Sequence, residues 1–170
     1  MEEVILVNTN NEIQGYMEKI EAHEKGLLHR AFSVFIFNSK GQVLLQKRAY
    51  EKYHSGGLWT NTCCSHPRKN ESFQSAAIRR LKEEMGITCN LEEAFSFIYK
   101  ASLDNNLIEH ELDQVFFGVS DKEPVLNPEE AIEYKYIDPD QLLIDINNNP
   151  THYTEWLKIS FSRVCKFVNQ

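Results

Sequence analysis

The stretch Ser72-Phe73-Gln74-Ser75-Ala76-Ala77-Ile78-Arg79-Arg80-Leu81-Lys82-Glu83-Glu84-Met85-Gly86 carries the strongest local signal in the chain. Phe73, Ala77, Leu81 and Met85 recur four apart and form one apolar stripe, and Gly86 stands where a helix C′ residue belongs. The spacing predicts a helix over Ser72 to Met85. Its last turn is unusual. Glu83 and Glu84 sit at the negative end of the helix macrodipole, where each carboxylate costs a few tenths to ~1 kcal/mol. Arg79 and Arg80 lie four residues earlier, the poorer orientation for such pairs. Two weak surface ion pairs are one reading. The other is a bound cation, since Mg²⁺ takes carboxylate oxygens and bridges to substrate phosphates.

Charge around this helix is locally basic. Lys47 to Lys82 holds eight basic residues (Lys47, Arg48, Lys52, Arg68, Lys69, Arg79, Arg80, Lys82) against Glu51 and Glu71, within a 170-residue chain of net charge −7. A solvated basic face and a pocket for a compact anion such as phosphate both fit this count. The overall acidity argues against a general nucleic-acid binder.

Flanking segments read mainly as strands: Glu3 to Val7, Ala31 to Asn38, Val43 to Gln46, Trp59 to Cys64, Phe95 to Ala101, Ile108 to Val119 and Glu133 to Ile137. The turn Asn38-Ser39-Lys40-Gly41 suggests that the second and third form a hairpin. A short helix is expected from Asp138-Pro139 through Leu143. A tail helix is expected from Thr151, with Tyr153, Leu157, Phe161, Val164 and Val168 at helical spacing. The fold expected is α+β: a mixed sheet with helices packed on its faces. With 42% hydrophobic and 25% charged residues the chain can build a core, and its length suits one domain, residues 1–170. No run approaches a membrane span. Met1-Glu2-Glu3 has no secretory character, and the adjacent Cys63 and Cys64 do not look like a disulfide framework. A cytoplasmic location is therefore expected.

Two short patterns could carry chemistry. On a strand, residues two apart point the same way, which places Cys64 with His66 and Glu109 with Glu111. Paired carboxylates repel unless a cation lies between them, and imidazole with carboxylate suits Zn²⁺ or Mn²⁺. His23 and His29 bracket Gly26 nearer the N-terminus. Taken singly, each histidine is also readable as a surface or satisfied core residue, Cys64 as a small buried hydrophobe, and Trp59 and Trp156 as core.

Glu71 followed by Arg79-Arg80-Leu81-Lys82-Glu83-Glu84-Met85-Gly86-Ile87 resembles the Nudix box, a loop–helix–loop motif that holds Mg²⁺ against a diphosphate. Glu71, Arg79, Glu83, Glu84 and Gly86 match. Ser65 replaces the first glycine, and Arg80 replaces a glutamate that helps bind the metals of hydrolytic members. The segments His23…His29-Arg30-Ala31-Phe32-Ser33, Leu58-Trp59-Thr60-Asn61-Thr62-Cys63-Cys64-Ser65-His66-Pro67 and Glu109-His110-Glu111 resemble the type 1 isopentenyl-diphosphate delta-isomerases. The likeness runs from about Val4 to the C-terminal helix.

That resemblance implies a Nudix-like mixed sheet, with its core at about 29–160, an extra N-terminal strand and a C-terminal helix. It implies His23, His29, His66, Glu109 and Glu111 as ligands of one Mn²⁺, Zn²⁺ or Mg²⁺. Glu84 would carry the Mg²⁺ of the substrate diphosphate, and Lys19, Arg48, Lys52 and Arg80 would contact that diphosphate. It further implies a proton shift between the isopentenyl and dimethylallyl diphosphates. Glu111, assisted by Tyr99, and Cys64, as thiolate, would act on opposite faces of the carbon skeleton, and Trp156 would shield the cation. The expected partner is this small molecule, with no nucleic acid or membrane, in a monomer or weak homo-oligomer. Two rivals are a Nudix hydrolase, against which Arg80 argues, and a zinc-stabilised binding module, which leaves Glu111 and the basic stretch without a role.

Overall fold

The computed structural model describes all residues from Met1 to Gln170. Strand β3 (His29–Phe37) organises the molecule because both of its edges are paired. It runs parallel to β8 (Ile108–Val119), with His29 opposite Glu111, and antiparallel to β1 (Glu3–Val7) and β6 (Cys63–Ser65). β1 continues antiparallel to β2 (Ile13–Glu18), and β8 pairs along its length with β7 (Leu91–Ser102). β4 (Val43–Arg48) carries β5 (Trp59–Thr60) on one side and β9 (Ala131–Ile137) on the other. The result is one mixed nine-stranded sheet.

Helices cover both faces. The pleat of β3 sends Phe32, Val34 and Ile36 toward α2 (Phe73–Met85), where Ala76, Ala77, Leu81 and Met85 meet them. Phe35 and Phe37 face the other way, toward Leu142 and Ile146 of α3 (Pro139–Asn148) and Leu157, Phe161 and Val164 of α4 (Glu155–Val168). α2 begins one residue later than expected, with Ser72 as its cap and the Ser72 hydroxyl accepting from Ser75 N. It ends on Gly86 in the left-handed region at φ 65°.

The structure corrects several expectations. The hairpin between the second and third predicted strands reduces to a single pair, Phe37 opposite Val43, because β3 spends its edges on β8 and β6. The predicted strand Trp59 to Cys64 breaks at Asn61 and Thr62, whose buried side chains bond inward: Asn61 Nδ2 donates to Val34 O and Cys63 O, and Thr62 Oγ1 to Leu44 O. The short helix after Asp138 continues to Asn148, while the tail helix starts at Glu155 rather than near Thr151. The N-terminal addition is two strands followed by a helix, α1 (Lys19–Lys25), rather than one strand.

Candidate active site

Strand register decides where the two neighbouring cysteines point. Cys64 stands opposite Ser33 and Cys63 opposite Val34, so Cys64 shares the face of Ser33 and His29 while Cys63 enters the core against α2. Across β3 on that same face lie Glu111 and Asp113 of β8. Cys64 and Glu111 thus occupy strands that flank β3, and because their partners Ser33 and His29 lie four residues apart along it, their backbones are roughly 16 Å apart. Both line a cavity of about 500 Å³, together with His66, Glu84, Glu109, Trp156 and all four predicted anion-binding cations, Lys19, Arg48, Lys52 and Arg80.

At and beneath the cavity wall, imidazoles gather around one carboxylate. His23 comes from α1, His29 from the start of β3 and His66 from the end of β6. Their ligand atoms and one oxygen of Glu111 all lie within 4.8 Å of one another, and all four residues are buried. Glu111 Oε1 is 3.0 Å from His66 Nε2, 3.4 Å from His29 Nε2 and 4.0 Å from His23 Nε2. His23 Nδ1 donates to Lys19 O at 2.7 Å and His29 Nδ1 to Leu27 O at 2.8 Å. In a neutral ring that bond puts the lone pair on Nε2, and both Nε2 atoms are buried with no partner. Converging lone pairs with nothing to accept are what a divalent cation would satisfy, so the donor set fits one. Burial, with the neighbouring His66 and His29 adding to it, lowers the His23 pKa to about 4, which keeps its ring neutral near pH 7.

Glu109 lies beside this group rather than within it. Its Oε1 meets the Tyr99 hydroxyl at 2.7 Å, as does Glu111 Oε2, while Glu109 Oε2 is orphaned. A phenol has one hydrogen, so the two carboxylates share a single donor. Burial and the adjacent Glu111 raise Glu109 well above the usual carboxylate range. Burial alone would raise Glu111 too, but the adjacent His29 and His66 imidazoles hold it well below.

Burial pushes the Cys64 thiol up, and the Arg48 guanidinium only partly opposes this. A thiolate there would need more positive charge nearby than Arg48 brings.

The anion-facing wall is already neutralised internally. Arg80 Nη2 lies 2.7 Å from Glu84 Oε1, with Glu84 only 4% exposed, so this is no surface ion pair. Gln46 Nε2 donates to the other Glu84 oxygen at 2.8 Å. Arg79 instead clamps Glu71 with two bonds of 2.7 and 2.9 Å. Lys19 pairs with Glu2 at 2.6 Å and lies 4.6 Å from the Tyr53 ring centre. Arg48 lies 5.2 Å from the Trp156 ring centre, and Trp156 Nε1 donates to Asn61 Oδ1 at 3.1 Å.

Sequence reasoning missed His54, Gln46, Asp113, Glu130, Glu2 and Tyr53, all of which line the cavity. Asp113 had a usable signal, since it continues the two-residue spacing of Glu109 and Glu111 on β8. His54 sits alone in a loop, where spacing says nothing.

Residues 27–157 match the NUDIX domain family model. The chain is 50% identical over 170 residues to isopentenyl-diphosphate Delta-isomerase 2 of Aromatoleum aromaticum, covering 99% of this chain and 90% of that one. It is 52% identical over 162 residues to isopentenyl-diphosphate Delta-isomerase of Pectobacterium atrosepticum, covering 95% and 90%. This chain belongs to the isopentenyl-diphosphate Delta-isomerase family, within the NUDIX superfamily. A crystal structure from Deinococcus radiodurans shares the NUDIX fold at a TM-score of 0.80 and 20% identity, covering 95% of this chain and 98% of that one. A MutT protein from Methanosarcina mazei does so at 0.70 and 19%, covering 84% and 96%. Relative to the NUDIX box, the isomerase-family chain replaces one carboxylate with Arg80, whose guanidinium lies against Glu84 in the structure.

Proposed function

We propose that this chain interconverts isopentenyl and dimethylallyl diphosphate by moving a proton across the allylic carbons, as the names of its relatives suggest. The observation that carries the reading is the placement of Cys64 and Glu111 in one cavity, on either side of β3, with basic residues along the same wall. The substrate's carbon chain would lie in this cavity, with its charged end toward Lys19, Arg48, Lys52 and Arg80, which line the same space.

In one direction Glu111 gives a proton to the terminal methylene and Cys64 removes one from C2; in the other the two exchange roles. Tyr99 orients Glu111 through its 2.7 Å bond and contacts Glu109 at the same distance. Trp156, buried and fixed by Asn61, closes the cavity to water and offers its ring to the developing tertiary cation. His23, His29, His66 and Glu111 would hold one Mn²⁺, Zn²⁺ or Mg²⁺, with Glu109 turning in as a further ligand, and Glu84 would hold the Mg²⁺ of the diphosphate. Bound cations would supply the positive charge that fixes Glu111 and lowers Cys64 toward thiolate.

Proton NMR in D₂O with isopentenyl diphosphate and divalent cations tests this reading. The expected result is the dimethylallyl product with solvent deuterium incorporated. Release of inorganic phosphate or diphosphate, with no isomer, would point to a hydrolase instead.

A further inference from the structure

Glu130 has no role in the scheme above, yet it is the residue through which Lys52 is held at the cavity wall. Its Oε2 lies 2.5 Å from Lys52 Nζ and its Oε1 3.0 Å from Arg80 Nη2. The two cations differ in what else holds them. Arg80 has Glu83 at 2.6 Å and Glu84 at 2.7 Å besides. For Lys52, Glu130 is the one carboxylate in reach.

The backbone fixes Glu130 in turn. Its carbonyl accepts from Ala49 N at 3.0 Å, and its N–H donates to Asn127 O at 2.9 Å. Asn127 N donates to Glu84 O, and Val125 N to Met85 O, so this loop is tied to the end of α2 beside Glu84. A long, rotamer-rich ammonium side chain is thereby anchored by a rigidly held carboxylate that shares the same cavity.

We propose that Glu130 is a positioning residue which acts through Lys52, holding its ammonium where the substrate's diphosphate lands. The inference rests on the diphosphate reading above. Charge and position make opposite predictions for it. A carboxylate near an incoming dianion repels it, so on charge alone Glu130→Gln tightens binding. If order at Lys52 dominates, the same change weakens it.

Calorimetric titration of the full chain with inorganic diphosphate at saturating Mg²⁺ separates the two. Glu130→Gln is expected to weaken binding by about tenfold, the scale of re-ordering one lysine side chain. In a Lys52→Met background the same change is expected to leave affinity unchanged or slightly tighter. In the isomerisation assay the loss falls on KM more than on kcat. Tighter or unchanged binding in the single variant overturns the inference alone, as does an equal weakening in the Lys52→Met background, which would mean a general loss of structure. Absence of diphosphate binding by the unaltered chain overturns both this inference and the diphosphate reading. Should Glu130→Gln not fold, Glu130→Asp carries the same test, since it keeps the charge but draws it back from Lys52; it is expected to weaken binding, and unaltered affinity overturns the proposal.

Discussion

Cys63 and Cys64 are adjacent in the chain, yet the β3–β6 register sends Cys63 into the core opposite Val34 and Cys64 into the cavity opposite Ser33. Their substitutions should therefore separate cleanly. Cys63→Ala is expected to cost about 1 kcal/mol of stability and to leave turnover largely intact. Cys64→Ala is expected to keep the fold and lose nearly all turnover, as is Glu111→Gln. Chemical denaturation paired with the isomerisation assay checks this, and an inactive Cys63→Ala beside an active Cys64→Ala would mean that the wrong cysteine has been assigned.

The orphaned Nε2 atoms of His23 and His29 make a second expectation. A cation bound to the native chain stabilises it by mass action, so chelation should lower the melting temperature as well as abolish turnover. His29→Ala should remove the melting response to Mn²⁺ or Zn²⁺. An unchanged response in that variant would place the ion elsewhere.

His54 gives a pH signature in the chelated protein. It is buried, and desolvation, aided by the Arg48 charge, lowers its pKa from 6.5 to about 2. Below pH 6.5 the unfolded chain binds a proton that the native chain refuses, so this group costs stability as the pH falls. Glu109 and Asp113, whose carboxyls are raised, contribute the opposite slope above pH 4.5. Comparison with His54→Asn isolates the histidine. Relative to that variant, the unaltered protein should lose about 1.4 kcal/mol per pH unit below 6.5. Urea melts between pH 7 and 5 measure it, and a constant difference would refute it.

Gly86 closes α2 with φ 65°, and a β-carbon there would come within 2.8 Å of Val125 Cβ and 3.0 Å of Val125 O. Gly86→Ala must therefore pay the left-handed penalty of roughly 1 kcal/mol and also push away the segment that fixes Glu130. We expect a loss of about 2 kcal/mol or more in equilibrium unfolding. A variant as stable as the parent would show that this loop yields freely.

Much of the architecture was legible because its signals were local. α2 showed its stripe and its closing glycine, and the strand expected over Ile108 to Val119 is β8. α1 escaped because seven residues are too few for helical periodicity, and β2 because Gly15 and polar neighbours break the alternation. The pairing of β3 with β8 could not be read from either strand, since nothing within a strand names its partner. Within the site, His23, His29, His66 and Glu111 came from the family pattern, whereas Glu130 and His54 acquire meaning only from what the fold sets beside them.

The bond from Ser33 to Asp113 joins positions 80 residues apart along the chain, and it lies in the same parallel ladder that sets His29 against Glu111. Such a ladder forms only after a long loop has closed, which makes it a slow step whose entropic cost is met before any local gain. Ion-binding competence should thus arise late in refolding, after helix α2 and the β7–β8 hairpin have already taken shape.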